Sequence, residues 1–290
     1  MAMLQMYRIT KEAKYLESLK ILGEAYLRWT DGEPYLKTTS FGMNEGDLKD
    51  LKRAIPACNS PVFYEGMALV LANLFSITGD ERYRTQLKLS AEAMVREYPD
   101  YTTNFTPLTK NFVCSRLITI LCAAQEIGCG DYSSLINEFL TFFEKLQDQC
   151  GGVQDSELII AKSTYTHEEF AVSMGVEHDR IVDMLYCTNN LLGCFSIIRS
   201  MKNPLKINCG LAMQMREKMI TFLLDTQIAE GDARLYGGWM RAYDMEHREY
   251  YGVNKDKVWG AYCIMGGWIM GFFPLLLLEE EGAPSIYSID

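Results

Sequence analysis

The sequence predicts an all-α protein in which helical hairpins are arranged in two layers around a ring. Three observations favour this fold class: helical periodicity recurs along the 290 residues, strand patterns are scarce, and mostly apolar helices alternate with amphipathic ones. A helix that is apolar on most sides belongs to an inner layer, whereas a helix with one charged face belongs to an outer layer. A chain of this length is expected to bury roughly 75% of its extended surface, which suits one large domain.

Helical periodicity predicts nine segments, and their order alternates between the two layers. They are a stub before Arg8, then 11–29, 61–77, 80–98, 109–127, 132–149, 181–201, 205–228 and 259–278. The turns that lead from an inner helix to an outer one span only a few residues. Three connections that lead back are long, at about 30–60, 150–180 and 229–257. Because all three precede inner helices, we expect them at one end of the ring, and we expect the functional site there.

A weak internal repeat supports the hairpin arrangement. Arg8-Ile-Thr-Lys-Glu-Ala-Lys-Tyr15 matches Ser76-Ile-Thr-Gly-Asp-Glu-Arg-Tyr83, and Glu126–Tyr132 is a shortened version. The units begin near residues 8, 76, 126 and 198, a spacing of roughly 50–70 residues. No linker interrupts this alternation, so we expect a single domain over residues 1–290. Its first residues have helical character, as if the chain lacked an N-terminal helix or an upstream segment.

Composition excludes several classes of function. A net charge of −10 and a pI near 5.0 argue against binding to nucleic acid or to an anionic membrane surface. Nine cysteines without a CxxC pair predict free thiols, and with no signal peptide they favour the cytoplasm. The uncharged stretch 258–278 could cross a bilayer, but its four glycines and one proline favour a buried helix. No cofactor motif and no metal-ligand spacing are present, so we expect neither.

Three segments resemble the (α/α) toroids of the six-hairpin glycosidase superfamily, in its bacterial carbohydrate-active branch. They are the turn 76–83, the segment 237–244 with its continuation to Cys263, and the stretch 178–186. The resemblance implies an (α/α) toroid that acts on an oligosaccharide. Oligosaccharides that contain uronic acid are among the substrates that it implies. Polysaccharide lyases and sugar epimerases share this fold. A full ring has six hairpins, and this chain supplies about four and a half, so the ring is expected to be incomplete.

Cleavage of a glycosidic bond needs carboxyl groups, and four acids lie in or beside the long connections. Glu65 opens the helix after the first connection, and Asp179 and Asp183 are four residues apart at the start of a predicted helix. Two acids on one helical face repel, which can raise one pKa toward the range of a general acid. Asp244 follows in the last connection. The alternative interpretation is that Glu65 is an ordinary first-turn acid and that Asp179 caps its helix.

Aromatic and basic side chains near these acids are the candidates for substrate binding. Aromatic rings cover the C–H faces of sugars, whereas charged groups bind hydroxyls or a uronate carboxylate. The candidates are Tyr64, His178, Trp239, Arg241, Tyr243, Trp259 and Tyr262, with Arg248 as a second anion partner. The alternative is that the aromatics plug the ring and that Arg241 and Asp244 form a structural ion pair.

The sequence therefore predicts a glycoside hydrolase that acts on an oligosaccharide by carboxylate general acid/base catalysis. Two alternatives remain: a lyase or epimerase on the same fold, and a non-catalytic helical module that binds carbohydrate or protein. A homo-oligomer is compatible with either function.

Overall fold

A computed structural model describes residues 1–34, 65–104, 108–154, 158–159, 181–184, 188–240, 242–250 and 269–289. Within these ranges the chain is mostly helical, and the predicted all-α class is confirmed. The helices are α1 (Ala2–Thr10), α2 (Ala13–Thr30), α3 (Glu65–Thr78), α4 (Glu81–Asn104), α5 (Lys110–Glu126), α6 (Ser133–Leu146), α7 (Asn189–Ser200), α8 (Cys209–Thr226) and α9 (Ile269–Glu280). Each of the nine predicted segments overlaps one of them.

The helices of the described chain pack as two layers. Inner helices α3, α5, α7 and α9 contact one another in succession. Outer helix α4 packs on α3 and α5, α6 packs on α5, and α8 packs on α7 and α6. Burial follows the same division: most of α7 is buried, whereas α6 buries a single stripe that includes Ile136, Phe139 and Phe143. This contrast agrees with the predicted alternation of apolar and amphipathic helices.

The tight turns between inner and outer helices confirm the internal repeat in atomic detail. The hydroxyl of Thr10 donates to the carbonyl of Met6 and accepts from the backbone N–H of Glu12. Thr78 makes the same two bonds, to the carbonyl of Leu74 and from the N–H of Asp80. The next residue is left-handed in both turns, Lys11 at φ 58° and Gly79 at φ 71°. A left-handed residue lets its N–H close the last helical turn, which explains why the motif ends each helix.

Five short strands lie between the helices, and the sequence pattern did not predict them. β1 (Leu108–Thr109) pairs antiparallel with β2 (Leu158–Ile159). β3 (Ile181–Asp183), β4 (Ala242–Asp244) and β5 (Glu249–Tyr250) form an antiparallel sheet in that order. All five are two or three residues long, too short for a periodic signal in the sequence.

The predicted helix over 181–201 is wrong in its first part. Residues 181–183 form strand β3, and the α-helix is described over Asn189–Ser200. Val182 is fully buried opposite Tyr243, so the cross-strand pairing of a β-branched residue with an aromatic one outweighs the helical pattern here. Asp183 therefore does not lie on a helix, and the inference that Asp179 and Asp183 share a helical face fails.

Other helix boundaries differ by a few residues. Helix α8 starts at Cys209 rather than at 205, because the side chain of Asn208 accepts a hydrogen bond from the N–H of Leu211 and caps the helix. Helix α4 continues to Asn104, past the predicted end at 98. Helix α9 covers 269–278 of the uncharged stretch and continues to Glu280, and residues 258–268 of that stretch lie outside the described ranges. No helix in those ranges has both the length and the apolar character needed to cross a membrane.

The two ends of the described chain meet. Helix α1 reaches the C-terminal segment through Gln5 and Arg8, whose side chains donate to the carbonyl of Ser285. Arg8 also donates to the carbonyl of Ser288 and, over 2.8 Å, to the side-chain oxygen of Asn73 in α3. Buried Ile289 belongs to the same apolar core as Leu4 of α1. The C-terminal segment therefore connects the first helix of the chain to the inner layer.

Candidate functional site

Outer helices finish, and inner helices begin, at one end of the molecule, which we call the loop end. Short turns join inner helices to the outer helices that follow them, so this element order assigns the helix ends that flank 31–64, 147–188 and 227–268 to the loop end. The described parts of these connections include the sheet β3–β4–β5 and the turn 147–154 that follows α6. The side-chain amide of Asn111, at the start of α5, donates over 2.6 Å to the carbonyl of Gln154. This end therefore carries the irregular structure that the sequence associates with function.

The sheet brings the positions of two predicted catalytic acids together. In the β3–β4 register, Ile181 lies opposite Asp244 and Asp183 lies opposite Ala242. Asp183 and Asp244 thus occupy diagonal positions across one antiparallel pair, which are roughly 7–8 Å apart in a regular sheet. They are 61 residues apart in the sequence, so only this non-local pairing places them side by side.

The carboxylate of Asp244 organises the turn between β4 and β5. One oxygen accepts the backbone N–H groups of Glu246 and His247 over 2.8 and 3.1 Å. The other oxygen lies 2.8 Å from Nδ1 of His247. Asp244 is only 4% exposed, so these three bonds supply the partners that a buried carboxylate needs. The predicted ion pair with Arg241 cannot be compared, because Arg241 lies outside the described residues.

These bonds shift the pKa values of both groups in the direction that favours the ion pair. Burial by itself raises the pKa of Asp244, but the hydrogen bonds from the His247 ring and from the two N–H groups outweigh it and lower the pKa. The same carboxylate raises the pKa of His247, first through the hydrogen bond and then through its charge. Asp244 is therefore suited to act as an anion and unsuited to act as a general acid.

A pocket of about 640 Å³ opens beside this turn. Its lining residues come from the turn that follows α6 and from the β4–β5 turn: Asp148, Gln149, Cys150, Met245, Glu246 and Arg248. The volume falls in the range of small-molecule sites. Two carboxylates, an amide and a guanidinium supply acceptors and donors of the kind that bind sugar hydroxyls. The thiol of Cys150 is not activated here, because burial raises its pKa.

The predicted aromatic platforms divide into two groups. The indole of Trp239 is 2% exposed, packs edge-on against Phe273 at 5.3 Å and donates over 2.7 Å to the carbonyl of Leu223. This placement matches the alternative interpretation, in which the aromatic residue is part of the core. Tyr243 is half-buried between the rings of Phe222 and Tyr250, each at 5.4 Å. It lies closer to the surface than Trp239 and supports the sheet from its other face.

Polar side chains are buried at the start of two neighbouring inner helices. Asn111 and Ser115 in α5 and Asn189 in α7 lie in the first two turns, where an apolar layer was expected. The side-chain oxygens of Asn111 and Asn189 accept no hydrogen bond. Buried acceptors of this kind are costly, so their presence at the loop end marks it as more than a packing surface.

The remaining predicted residues cannot be located in the described structure. Glu65 lies in the first turn of α3, as predicted, but only its backbone is described. Tyr64, His178, Asp179, Trp259 and Tyr262 lie outside the described residues, as Arg241 does. Sequence reasoning missed His247, Asp148 and Cys150. The spacing Asp244-x-x-His247 is the signal that could have revealed His247. In a turn, an aspartate side chain commonly accepts hydrogen bonds from the backbone N–H groups two and three positions later.

The described ranges contain no group of three or more metal-ligating side chains, and their six cysteines are free thiols. Comparison with family models, with curated proteins and with solved structures gave no match to this chain.

Proposed function

We propose that this chain is a glycoside hydrolase that binds an oligosaccharide at the loop end. The observation that carries the proposal is the β3–β4 register, which sets the positions of Asp183 and Asp244 diagonally across one pair of strands. Diagonal backbone positions lie roughly 7–8 Å apart in a regular sheet, which is compatible with the carboxyl spacing that glycosidases use.

The charge state of Asp244 determines the role that we assign to it. A carboxylate whose pKa is lowered remains ionised near neutral pH, so Asp244 serves as the anion that activates water or stabilises positive charge on the sugar ring. The proton donor is then one of the other predicted acids, and Asp183 is the first to test because of its position.

We assign substrate binding to the pocket next to the β4–β5 turn. Arg248 suits a uronate carboxylate, and Asp148 with Glu246 suits sugar hydroxyls. We further propose that the helices close into an incomplete (α/α) toroid in the cytoplasm. The succession of inner helices and the contact between the chain ends support the toroid. A lyase or epimerase would use the same end of the same fold.

One observation favours a second candidate, a non-catalytic module that binds carbohydrate or protein. Both oxygens of Asp244 are engaged by their own turn, and Trp239 is buried in the core, so each has a purely structural explanation. A binding module needs the pocket but not the acids.

Turnover of aryl glycosides and unsaturated uronides separates the two candidates. We expect Asp183→Asn and Asp244→Asn to lower kcat by about 100-fold or more, the usual contribution of acid/base groups. Glu138→Gln, an exposed substitution on α6, is the control and should leave kcat unchanged. Calorimetric sugar binding without turnover would select the module, and absence of both would reject the carbohydrate proposal.

A further inference from the structure

Two buried amide side chains at the loop end have an oxygen that the described chain leaves unused. Asn111 is the second residue of α5 and Asn189 is the first residue of α7, and they are 0% and 7% exposed. No donor in the described ranges bonds the side-chain oxygen of either residue. A buried acceptor without a donor costs free energy, because it has lost its hydrogen bonds to water.

Helix capping does not account for these two amides. An asparagine at the start of a helix usually accepts a backbone N–H of the first turn through its side-chain oxygen. Asn208 does this for α8, where it accepts from the N–H of Leu211 over 3.1 Å. The oxygens of Asn111 and Asn189 accept no such bond among the described residues. The two amides therefore do not stabilise the helix ends in the usual way.

The turn that follows α6 orients the amide of Asn111. Its nitrogen donates over 2.6 Å to the carbonyl of Gln154. Because a carbonyl only accepts, the group that contacts Gln154 is the NH₂ group, and the side-chain oxygen of Asn111 points away from this bond.

The same turn packs against the sheet that carries the predicted acids. A β-carbon at Gly152 would lie 2.7 Å from the sulfur of Met245 and 2.9 Å from the side chain of Val182. Met245 follows Asp244 in the chain, and Val182 precedes Asp183. The turn therefore connects the amide of Asn111 to the strands of the candidate site.

The first turns of α5 and α7 lie at similar heights. Both inner helices begin at the loop end and pack along each other, so they run parallel. The thiol of Cys194 donates to the carbonyl of Ser115 and lies 3.5 Å from the hydroxyl of Thr119, which fixes their relative height. Asn189 precedes Cys194 by five residues and Asn111 precedes Ser115 by four, so the two amides lie within about one helical turn in height. Since packed helices are about 8–10 Å apart, one ligand can contact both.

We propose that Asn111 and Asn189 form the floor of the carbohydrate site and accept hydrogen bonds from hydroxyl groups of an uncharged sugar unit. An amide oxygen only accepts, so it suits the O–H donors of a neutral sugar and disfavours a carboxylate, which is itself an acceptor. The inference rests on the proposed function, because it names the residues that hold the substrate of that site and the class of sugar unit that they hold.

Replacement of Asn189 by leucine separates a binding role from a structural one. Leucine has a similar shape and no polar atom, so Asn189→Leu should raise the melting temperature by about 2 °C or more, since the unpaired acceptor is removed. In calorimetric titrations, the same variant should bind the best-bound 4-nitrophenyl hexoside about 10-fold or more weakly than the wild-type protein does. A lower melting temperature would mean that the oxygen has a partner within the protein, and it would overturn the proposal.

Ser196→Ala is the matched control in the same helix. Ser196 is also fully buried, and its hydroxyl has no hydrogen-bond partner among the described residues. It lies seven residues, or about 10 Å, farther from the loop end than Asn189. Ser196→Ala should therefore leave hexoside binding unchanged, and an equal loss of binding in both variants would argue against a specific role for Asn189.

Monodeoxy analogues of the same hexoside test the contacts in the unmodified chain. One analogue should bind the wild-type protein about 10-fold or more weakly than the parent sugar does, because a buried acceptor then stays unpaired. Parent and analogue should bind Asn189→Leu equally, and a second analogue should show the same relation with Asn111→Leu.

The outcomes distinguish this inference from the proposed function. If the wild-type protein binds hexosides but each analogue loses the same affinity in wild type and variants, the amides are not the acceptors and the proposed function stands. Binding of uronides alone would refute the uncharged sugar unit. If the wild-type protein neither binds nor turns over any sugar, the proposed function and this inference fail together.

Discussion

At the scale of single residues, one carboxylate controls the shape of the β4–β5 turn. Asp244 bonds two backbone N–H groups and one imidazole, so the turn depends on its charge as well as on its geometry. The pocket residues Glu246 and Arg248 lie in the same turn. A change in the protonation of Asp244 or His247 therefore alters the wall of the pocket.

The pair predicts a specific pH dependence. The folded pKa of Asp244 lies below its ordinary 3.8, so its stabilising contribution is present above that pH and is lost as the pH falls through the folded value. The folded pKa of His247 lies above its ordinary 6.5, so its contribution is present below 6.5 and is lost as the pH rises through the folded value. An NMR titration of the His247 ring should show the raised pKa, and Asp244→Asn should bring it back toward 6.5. Equal pKa values in both proteins would contradict the pairing.

Gly151 is a second residue on which the loop end depends. Its φ is +98°, and a β-carbon at this position would lie 2.1 Å from the carbonyl oxygen of Lys218 in α8. The backbone of the turn therefore lies directly against the backbone of a helix, which only glycine permits.

Substitution of this glycine should be costly. We expect Gly151→Ala to lower the free energy of unfolding by about 3 kcal/mol or more, through left-handed strain plus overpacking against backbone. Gly32→Ala is a matched control, because Gly32 has φ +80° but no atom within 4 Å of the added methyl group. It should lose about 1 kcal/mol, the strain alone. Urea denaturation measures both, and similar losses in the two variants would argue against the close contact.

At the scale of elements, a buried ionic cluster joins α7, α8 and α9. Arg216 of α8 bonds the carboxylate of Glu280 and lies 3.8 Å from that of Glu279. Arg199 of α7 pairs with Glu280 at 2.6 Å from the more exposed side. Glu279 is buried, and its oxygens accept no hydrogen bond, so Arg216 supplies the nearby positive charge.

Removal of that charge should weaken the helix contacts. We expect Arg216→Ala to lower the free energy of unfolding by about 3–5 kcal/mol, since it leaves a carboxylate buried without its counter-charge. Arg199→Ala should cost less than about 1 kcal/mol, because its pair is solvent-screened. If the double variant Arg216→Ala/Glu279→Ala were as unstable as Arg216→Ala, the lost stability would come from packing and not from charge.

At the scale of the whole molecule, the C-terminal segment 285–289 connects α1 to the inner layer. Ile289 is buried within five residues of Ser285, whose carbonyl accepts from Arg8. The β-carbon of an alanine at position 193 in α7 would meet the ring of Tyr287 at 2.7 Å, so the segment lies tightly against that helix as well.

Truncation of one side chain measures how much this segment contributes to the free energy of unfolding. We expect Ile289→Ala to lower the free energy of unfolding by about 2–4 kcal/mol, the cost of a cavity in the core. Ile9→Ala, at an exposed position of α1, should change it by less than about 0.5 kcal/mol. A small effect of Ile289→Ala would mean that the segment is not part of the cooperative core.

Much of the fold was predictable because its signals are local. The local signals are helical periodicity, the turns at Thr10 and Thr78, and the contrast between apolar and amphipathic helices. Each of them depends on neighbouring residues. Strand β3 was not predictable in this way, since Ile181 pairs with Asp244 far along the chain. The site shows the same division. Asp244 was selected from its charged and aromatic surroundings, and its spacing to His247 is also a local signal. The pocket residues of the turn after α6 depend on contacts that no periodic pattern records.

The contact between the chain ends also has a kinetic consequence. Gln5 bonds a residue 280 positions later, so α1 lacks part of its partner set until the residues near Ser285 have been synthesised. Contacts of such long sequence separation close slowly, because the chain loses loop entropy before it gains the contact. Completion of the first helix should therefore be a late event in folding, while the short inner-to-outer hairpins form early.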